Sequence, residues 1–450
     1  MKGEQVMNED IIVAVATARA EAAISIIRLS GKGVIDLVNR MFSSDLSNKK
    51  SHTITYGYIM DESERIDEVL VNLYRAPRTF TAEDMIEINC HGGIYVTNKI
   101  LELCIRLGAR MAEHGEFTKR AFLNGRIDLA QAESVADMII ANTDLSSSLA
   151  LKGIEGKVSQ LVKNLKEDLI QIITQIEVNI DYPEYDDIEE LTASKLLPLT
   201  ADFEKKVSHI LRNARNGQII RDGIKTAIIG RPNVGKSSLL NALLDEDKAI
   251  VTNIAGTTRD IIEGRVNLDG VVLQLIDTAG IRETEDVVEK IGVERSIKAL
   301  EEAQLVLLVL DGSMPLQEED YQLLERTKEM PRLILINKQD LGCVLDVEGL
   351  PISARKHDIT KLEDKIVDMF KIGELKESEE VYLSNIRHIT LMEKCRESIL
   401  KAIEAMKTGV PVDLIVIDLY DAWQCLKEIL GQEAKADLLD ELFSRFCIGK

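Results

Sequence analysis

The chain has 450 residues, of which 45% are hydrophobic and 29% are charged, and its formal net charge is −21. This length predicts more than one domain, and the balance of apolar and charged residues excludes a disordered chain. The negative charge opposes nucleic-acid binding by the whole surface, because phosphate attraction comes from clustered Lys and Arg, so such binding would need a local basic patch or a basic partner.

The apolar runs and the cysteines predict a cytoplasmic protein. The apolar stretch at residues 11–29 contains charged side chains, which excludes a signal peptide, and no later run approaches the roughly 20 residues that span a bilayer. The six cysteines follow no disulfide or zinc-ligand spacing, which favours a reducing compartment. We therefore expect no membrane association.

The first third of the chain predicts a small α+β domain followed by helices. Apolar or alternating stretches typical of strands lie at residues 24–27, 68–74 and 85–88. From about residue 129 to residue 217, apolar side chains recur at helical spacing and no strand pattern interrupts them. Long helices are therefore expected in this second region.

Between about residues 225 and 370, short apolar strands alternate with helices. The predicted strands are 226–229, 271–276, 305–310 and 333–336. Strands this apolar are buried on both faces, which is typical of a doubly wound, mostly parallel sheet. Helical periodicity returns after about residue 382 and continues to the end.

The two helical regions predict one discontinuous all-α domain interrupted by the α/β domain, because neither region alone covers its apolar face easily. The predicted architecture is multidomain. It has an α+β domain at 1–124, an all-α domain at 125–218 and 380–450, and an inserted α/β domain at 219–379.

Residues 230–237 predict a phosphate-binding loop. They follow the pattern GxxxxGK[ST], directly after an apolar strand and before a helical pattern. Glycines in such a loop let backbone N–H groups close around phosphate oxygens, and the next helix points its positive end at them. Lys236 is expected to reach the β- and γ-phosphates, and the Ser237 hydroxyl is expected to bind Mg²⁺.

Three further motifs follow in order, at or just after predicted strands. The DxxG motif at 277–280 can hold magnesium through water and sense the γ-phosphate. In the motif at 337–340, the Asp340 carboxylate can accept two N–H bonds from guanine, which adenine cannot offer, so GTP is selected over ATP. Residues 353–355 lie where G proteins contact the guanine carbonyl. The α/β domain is therefore predicted to be a Ras-like G domain with ligand binding along one sheet edge.

The residues alone leave the hydrolytic group open. Ras-like proteins place a water-orienting glutamine directly after the DxxG glycine, whereas this chain has Ile281 there. Thr258, in a candidate switch segment, is expected to be the second magnesium ligand. Arg259, Arg282 and Arg295 are candidates for an arginine finger, with a solvated or ion-paired arginine as the alternative for each.

The chain resembles the MnmE (TrmE) family of tRNA-modification GTPases throughout its length. The resemblance rests on the phosphate-binding loop, the Gly-Thr-Thr-Arg-Asp segment at 256–260, the stretch at 115–133 and Cys-Ile-Gly-Lys at 447–450. It implies a homodimer held by the folate-binding amino-terminal domains. It also implies a heterotetramer or larger complex with an FAD- and NADH-using partner, MnmG (GidA), which alone carries the FAD.

The resemblance implies a reaction on tRNA. The complex would install an aminomethyl or carboxymethylaminomethyl group at C5 of the wobble uridine of certain tRNAs. The carbon donor would be a tetrahydrofolate derivative, in its 5-formyl or 5,10-methylene form. The implied folate-binding residues are Arg28, Glu87, Arg126 and Lys450, with Cys447 matching a cysteine thought to assist the modification.

These residue types suit a folate. An acidic side chain can bind the pterin N–H edge, and basic side chains suit the glutamate tail. The chain departs from the family at residues 16–23, where the usual prolines and glycines are missing. Their loss changes the backbone conformations open to this loop, which predicts that it does not shape the folate pocket in the way usual for the family.

The resemblance also implies activation by K⁺, which would stand where an arginine finger neutralises transition-state charge. Glu289 would orient the attacking water. The implied potassium ligands are Asn233, Thr252, Ile254 and Thr257. The residues predicted to bind GTP are Asn233, Val234, Gly235, Lys236, Ser237, Ser238, Thr252, Asn253, Ile254, Ala255, Gly256, Thr257, Thr258, Asp277, Thr278, Ala279, Gly280, Asn337, Lys338, Asp340, Ser353, Ala354 and Arg355.

Two other functions are compatible with a GTP site. A regulatory G protein would switch partner binding without folate chemistry, and the absence of tetrahydrofolate binding would favour it. A ribosome-assembly GTPase would bind ribosomal RNA directly, against which the charge of −21 weighs.

Overall fold

The structure is a computed structural model that describes residues 10–181, 193–244, 264–268, 270–276, 300, 302–370 and 381–449. Contacts divide the chain into two compact units. The first unit contains the described residues up to Ala136 together with those from Leu426, and the second contains those from Asp137 to Cys425. These units follow contact density, whereas the predicted domain boundaries follow changes of periodicity and stay a prediction.

The first unit is built on a six-stranded sheet with the strand order β3-β4-β5-β2-β1-β6. The strands are β1 (Ile12–Val15), β2 (Ile24–Ser30), β3 (Thr53–Asp61), β4 (Glu64–Tyr74), β5 (Met85–His91) and β6 (Arg110–Met111). Only the β1–β6 pair is parallel among these described strands. All three strands predicted in this region are present, as parts of β2, β4 and β5, which confirms the α+β assignment.

Helices complete the first unit, and the carboxyl-terminal segment belongs to it. The helices are α1 (Val34–Asn39), α2 (Ile94–Arg106), α3 (Glu116–Leu123), the first part of α4 (Leu129–Ile140), the end of α12 (Val412–Ile429) and α13 (Ala436–Ser444). Gly115 shows how closely the carboxyl-terminal segment packs. Its φ is 64°, and an added Cβ would lie 2.8 Å from both the Phe443 carbonyl oxygen and Phe446 Cβ. A glycine is needed there for both reasons.

The helical part of the second unit joins segments from both sides of the α/β region. Its further helices are α5 (Asp144–Ile154), α6 (Lys157–Asp181), α7 (Ala193–Asp222) and α11 (Ile386–Thr408). α7 packs against α11, and an added Cβ at Gly217 would lie 2.3 Å from the Leu383 carbonyl oxygen. This pairing confirms a discontinuous helical domain. Among the described residues, none of the helices could cross a membrane.

The α/β part of the second unit contains a six-stranded sheet with the order β12-β11-β10-β7-β9-β8. Its strands are β7 (Ile224–Ile229), β8 (Gly264–Leu268), β9 (Val271–Ile276), β10 (Leu305–Asp311), β11 (Arg332–Asn337) and β12 (Leu350–Pro351). Its helices include α8 (Lys236–Leu243), α9 (Glu318–Arg326) and α10 (Thr360–Met369). Among the described strands of this sheet, only β8 is antiparallel to its neighbour. The predicted mostly parallel sheet is confirmed.

Candidate nucleotide and cofactor sites

The phosphate-binding loop turns tightly between β7 and α8. Gly230 has a φ of 153°, and an added Cβ would lie 2.4 Å from the Val309 carbonyl oxygen. Asn233 and Gly235 both adopt left-handed conformations, with φ values of 61° and 100°. Helix α8 begins at Lys236, and the N–H groups of a first helical turn lack helical acceptors. Such a turn before a helix N-terminus forms a concave anion-binding surface.

Lys236 is held over this loop. Its Nζ donates hydrogen bonds to the carbonyl oxygens of Gly230 and Arg231, at 2.8 and 2.7 Å. Burial lowers the pKa of Lys236, because the charged ammonium loses its hydration there. An anionic ligand would supply the opposite charge that this partly buried ammonium needs. The predicted role of Lys236 on a phosphate is therefore compatible with its surroundings.

A buried ion pair anchors the loop to helix α9. Arg231 Nε lies 2.7 Å from the Oδ2 atom of Asp320, and only 9% and 1% of the two side chains are exposed. Asp320 Oδ2 also accepts the backbone N–H of Gln317 at 3.0 Å, just before α9. Sequence reasoning did not identify Asp320, because no motif connects it to the loop.

The side chain of Asn337, the first residue of the motif at 337–340, connects the phosphate-binding loop to the motif at 353–355. Its Nδ2 donates to the Val234 carbonyl oxygen at 2.8 Å, and its Oδ1 accepts the Ala354 N–H at 3.0 Å. Gly235 must be a glycine beside it, since an added Cβ would lie 2.2 Å from Asn337 Nδ2. The structure therefore brings the motifs at 230–237, 337–340 and 353–355 together at one edge of the sheet.

The guanine-recognition carboxylate is prepared by a neighbouring hydroxyl. Ser353 Oγ donates to Asp340 Oδ1 at 2.8 Å. This hydrogen bond lowers the pKa of Asp340 and favours its ionised form. An ionised carboxylate can accept the two N–H groups of a guanine edge.

A second ion pair holds the lysine of the same motif. Lys338 adopts a left-handed conformation, with a φ of 64°, and its Nζ lies 2.7 Å from Asp311 Oδ2 at the end of β10. Asp311 Oδ1 accepts the N–H and hydroxyl of Ser313. Burial opposes the ionisation of Asp311, but the bonds from Lys338 and Ser313 outweigh it and lower its pKa. Asp311 was not predicted, since the strand pattern ended one residue before it.

Many predicted residues lie outside the part of the chain that the structure describes. They are Thr252, Asn253, Ile254, Ala255, Gly256, Thr257, Thr258, Asp277, Thr278, Ala279, Gly280, Glu289 and Lys450, together with Ile281 and the arginine-finger candidates Arg259, Arg282 and Arg295. Their predicted roles stay predictions.

The first unit contains a cavity of about 460 Å³. Its lining includes three of the predicted folate residues, which come from different parts of the chain: Arg28, Glu87 and Arg126. The other lining residues were not predicted: His52, Tyr74, Pro77, Arg78, Thr79, Phe80 and Met85. Several of them follow β4 in a stretch without periodicity, so no pattern indicated that they share a cavity.

Glu87 is held by two side chains in this cavity. It is the cross-strand neighbour of Arg28, whose Nε donates to Glu87 Oε1 at 2.9 Å. The Tyr74 hydroxyl donates to Oε2 at 3.3 Å. Burial and the charge of Glu87 raise the pKa of Tyr74, so its hydroxyl stays a neutral donor. Arg28 Nη1 also donates to the Gly449 carbonyl oxygen at 3.0 Å, which places Gly449 beside the cavity.

The remaining predicted residues lie around the same region. The Arg126 guanidinium donates to the Phe80 carbonyl oxygen at 3.1 Å and lies 5.1 Å from the centre of that ring. Cys447 is exposed, and its carbonyl oxygen accepts the Gly115 N–H at 3.2 Å. Within the described part of the chain, residues 16–23 are absent from the lining of the cavity. Their altered sequence therefore does not change this wall directly.

The sheet, the phosphate-binding loop and the guanine motifs define a P-loop GTPase. Two family models match the chain: GTP-binding protein TrmE N-terminus over residues 11–126, and MnmE helical domain over residues 129–447. The tRNA modification GTPase MnmE of Lactococcus lactis subsp. cremoris is 52% identical over 98% of each chain. That of Streptococcus thermophilus is 53% identical, also over 98% of each chain. The chain therefore belongs to the MnmE family of tRNA modification GTPases.

Parts of the chain are also similar to solved structures. Era from Aquifex aeolicus is 27% identical, with a TM-score of 0.25, over 39% of this chain and 66% of that one. The G domain of T. maritima FeoB is 27% identical, with a TM-score of 0.24, over 32% of this chain and 97% of that one. The family assignment rests on the family models and the full-length relatives. It confirms the predicted enzyme class, a GTP hydrolase of tRNA modification, and implies the use of Mg²⁺.

Proposed function

We propose that this chain is a K⁺-activated GTPase that, with an MnmG (GidA) partner, modifies C5 of the wobble uridine of certain tRNAs. A tetrahydrofolate derivative donates the carbon, and the product carries an aminomethyl or carboxymethylaminomethyl group. The chain acts in the cytoplasm as a homodimer, within a heterotetramer or larger complex whose partner carries FAD. The observation that carries the proposal beyond GTP hydrolysis is the cavity lined by Arg28, Glu87 and Arg126.

The phosphate-binding loop supports the cation part of the proposal. Asn233 is exposed and adopts a left-handed conformation within the loop, and its amide oxygen is a suitable K⁺ ligand. Bound there, K⁺ supplies positive charge beside the phosphates, where an arginine finger would otherwise act. Ser237 and Thr258 would hold Mg²⁺. The chain's own contribution is a loop whose shape is fixed by Asn337 and by the Arg231–Asp320 pair.

The cavity supports the folate part. Its volume of about 460 Å³ lies within the range of small-molecule sites. Glu87, fixed by Arg28 and Tyr74, offers a carboxylate to the N–H edge of a pterin ring. Arg126 is exposed at the same cavity and suits a glutamate tail. A bound folate supplies the carbon, while these side chains bind and orient it.

The cation mechanism is tested by GTP hydrolysis in K⁺ and in Na⁺ at matched ionic strength, with Asn233→Ala alongside. Strong stimulation by K⁺ that disappears in the variant is expected. Equal rates in the two salts would leave a GTPase but overturn the mechanism, and would direct attention to Arg259, Arg282 and Arg295.

The folate part is tested separately by titrating the full-length protein with 5-formyltetrahydrofolate in a calorimeter. Saturable binding at one site per chain is expected. Without such binding, a regulatory G protein that performs no folate chemistry becomes the better description. Salt-dependent association with ribosomal RNA but not with tRNA would instead indicate a ribosome-assembly GTPase.

A further inference from the structure

The first unit carries a cluster of cations beside the cavity, which we call the basic rim: Lys49, Lys50, Arg75 and Arg78. Arg78 lines the cavity itself, and His52, which follows the two lysines, lines it too. Lys49, Lys50 and Arg78 are exposed. Such a cluster is the local basic patch that a chain with a net charge of −21 would need to bind a nucleic acid.

The loop that carries the two lysines is held in place. Arg75 donates hydrogen bonds to three backbone carbonyl oxygens of this loop, those of Leu46, Ser47 and Lys49, at 2.7 to 3.2 Å. Thr53 Oγ1 donates to the Lys50 carbonyl oxygen at 2.7 Å. Because its donors are used on neutral carbonyl groups, Arg75 fixes the loop while adding a positive charge to it. The lysines therefore project from an ordered support.

The charges of the basic rim are not cancelled by salt bridges. Within the described residues of the chain, none of its four members forms an ion pair. Three nearby carboxylates have other hydrogen-bonding partners. Asp45 accepts bonds from Ser47 and Asn39, which lower its pKa, and the charge of Lys49 adds to this effect without forming a salt bridge. Asp84 accepts the Ala76 N–H, and Glu87 is paired with Arg28. Several other cations of this unit are paired with carboxylates: Lys99, Arg106, Arg110, Lys119 and Arg120.

We propose that the basic rim binds the phosphates of the tRNA substrate and holds the anticodon loop against the cavity. This inference rests on the proposed function, because that function requires a wobble uridine to reach a carbon donor bound by Glu87 and Arg126. Single-stranded loops can splay a base out of the stack while basic side chains hold the adjacent backbone. On an otherwise acidic chain, this arrangement directs the RNA to the side of the cavity.

The test uses full-length protein and a fluorescently labelled anticodon stem-loop RNA with an unmodified wobble uridine. Binding is followed by anisotropy over a series of salt concentrations. In Lys49→Ala/Lys50→Ala, the Kd should rise about tenfold and the slope of log Kd against log salt should fall by about 2. The charge-preserving pair Lys49→Arg/Lys50→Arg should restore most of the affinity, which a purely structural role of the lysine side chains would not predict.

The matched control is Arg40→Ala/Arg65→Ala, which removes the same charge from the same unit. Arg65 lies at the opposite end of β4 from Arg75, and Arg40 contacts the Leu107 carbonyl oxygen. RNA binding by this control should stay within about twofold of the wild type. Equal losses in both double variants would show a nonspecific charge effect and overturn the proposal.

Measurements of folate binding distinguish a failure of this inference from a failure of the proposed function. Lys49 and Lys50 do not line the cavity, so their removal should leave the affinity for 5-formyltetrahydrofolate unchanged. Unchanged RNA binding with weaker binding of a polyglutamylated folate would overturn the RNA assignment and make the basic rim a site for the folate tail. If the wild type binds no folate but RNA binding depends on both lysines, the RNA assignment stands and the folate part of the proposed function fails.

Discussion

The nucleotide site and the cavity of the first unit are built in different ways. In the nucleotide site, each described motif is a short contiguous segment at or just beyond a strand end, and parallel strands align those ends at one sheet edge. In the cavity, single residues from distant parts of the chain meet through antiparallel register and packing. Arg28, for example, contacts Glu87 on β5 and the carbonyl oxygen of Gly449 near the end of the chain.

This difference shows where function can be identified without a structure. Phosphate and guanine recognition uses backbone groups, so the residue types of whole loops are constrained. A cavity for an organic cofactor uses isolated side chains, whose neighbours in sequence are free to vary. Substitutions in the nucleotide site should therefore remove activity, while substitutions in the cavity should remove one ligand and leave GTP hydrolysis intact.

The largest effect is expected for Lys236→Ala. Removing the ammonium from the phosphate-binding loop should lower kcat for GTP hydrolysis by about 100-fold or more, because Lys236 Nζ lies against the loop carbonyl groups of Gly230 and Arg231. Lys225→Ala is the control, because Lys225 lies on β7, the strand that precedes the loop, and its side chain is about half exposed with Nζ 4.0 Å from Glu302 Oε2. If the two variants hydrolysed GTP at comparable rates, Lys236 would not be part of the nucleotide site.

A smaller and more selective effect is expected for Glu87→Gln. The neutral amide cannot replace a charge-assisted acceptor, so the Kd for 5-formyltetrahydrofolate should rise by about 10- to 100-fold, while GTP hydrolysis by the isolated protein stays unchanged. Calorimetry and a phosphate-release assay measure the two quantities. Glu68→Gln, at an exposed position on β4, should change neither. If Glu87→Gln bound folate as tightly as the wild type, this cavity would not be the folate site.

Glu116→Gln should reduce the stability of the first unit by about 1.5 kcal/mol at neutral pH. Burial opposes the ionisation of Glu116, but bonds from Arg110, the Glu113 N–H and Arg120 outweigh it and lower its pKa below the usual value of a glutamate. Because the folded-state pKa is lowered, this stabilisation is complete above the unfolded pKa and is lost as the pH falls through the folded value.

Urea unfolding of the full-length protein at several pH values measures this effect. The difference between wild type and Glu116→Gln should shrink as the pH falls below 4.5. Glu113 is a nearby exposed carboxylate, and Glu113→Gln serves as the control. This variant should have nearly the same stability as the wild type at every pH. A difference that stays constant with pH would contradict an ionic role for Glu116.

The smallest effect is expected for Asp311→Asn. Loss of the ion pair with Lys338 should raise the Kd for GTP by about fivefold, because the motif that carries Asp340 becomes less well held. The Kd for ITP, which lacks the guanine amino group, should rise less, so the GTP-to-ITP preference falls. Asp346→Asn removes an exposed acid nearby and should leave this preference unchanged. A proportional loss for both nucleotides would show a general structural role instead.

Most of the fold was predictable from periodicity. Strands in the α/β region are apolar on both faces, as in β10, which is buried throughout, and such runs are recognised without tertiary information. The antiparallel edge strand β8 was not identified, because its alternating pattern of five residues is weak. The pairing of α7 with α11 was predicted only indirectly, because each helical region has an apolar face that another helix must cover.

The sequence by itself determined the nucleotide specificity and the order of the motifs, because loops that approach phosphates and guanine require particular residues at fixed spacing. Tertiary structure alone decided which side chains support those loops, as Asp320 and Asp311 do, and which ones share a cavity. It also decided that Arg75 pins the loop of Lys49 and Lys50 beside that cavity. The physical reason is that contacts between distant segments depend on register and packing, and neither leaves a periodic signal in the residues that meet.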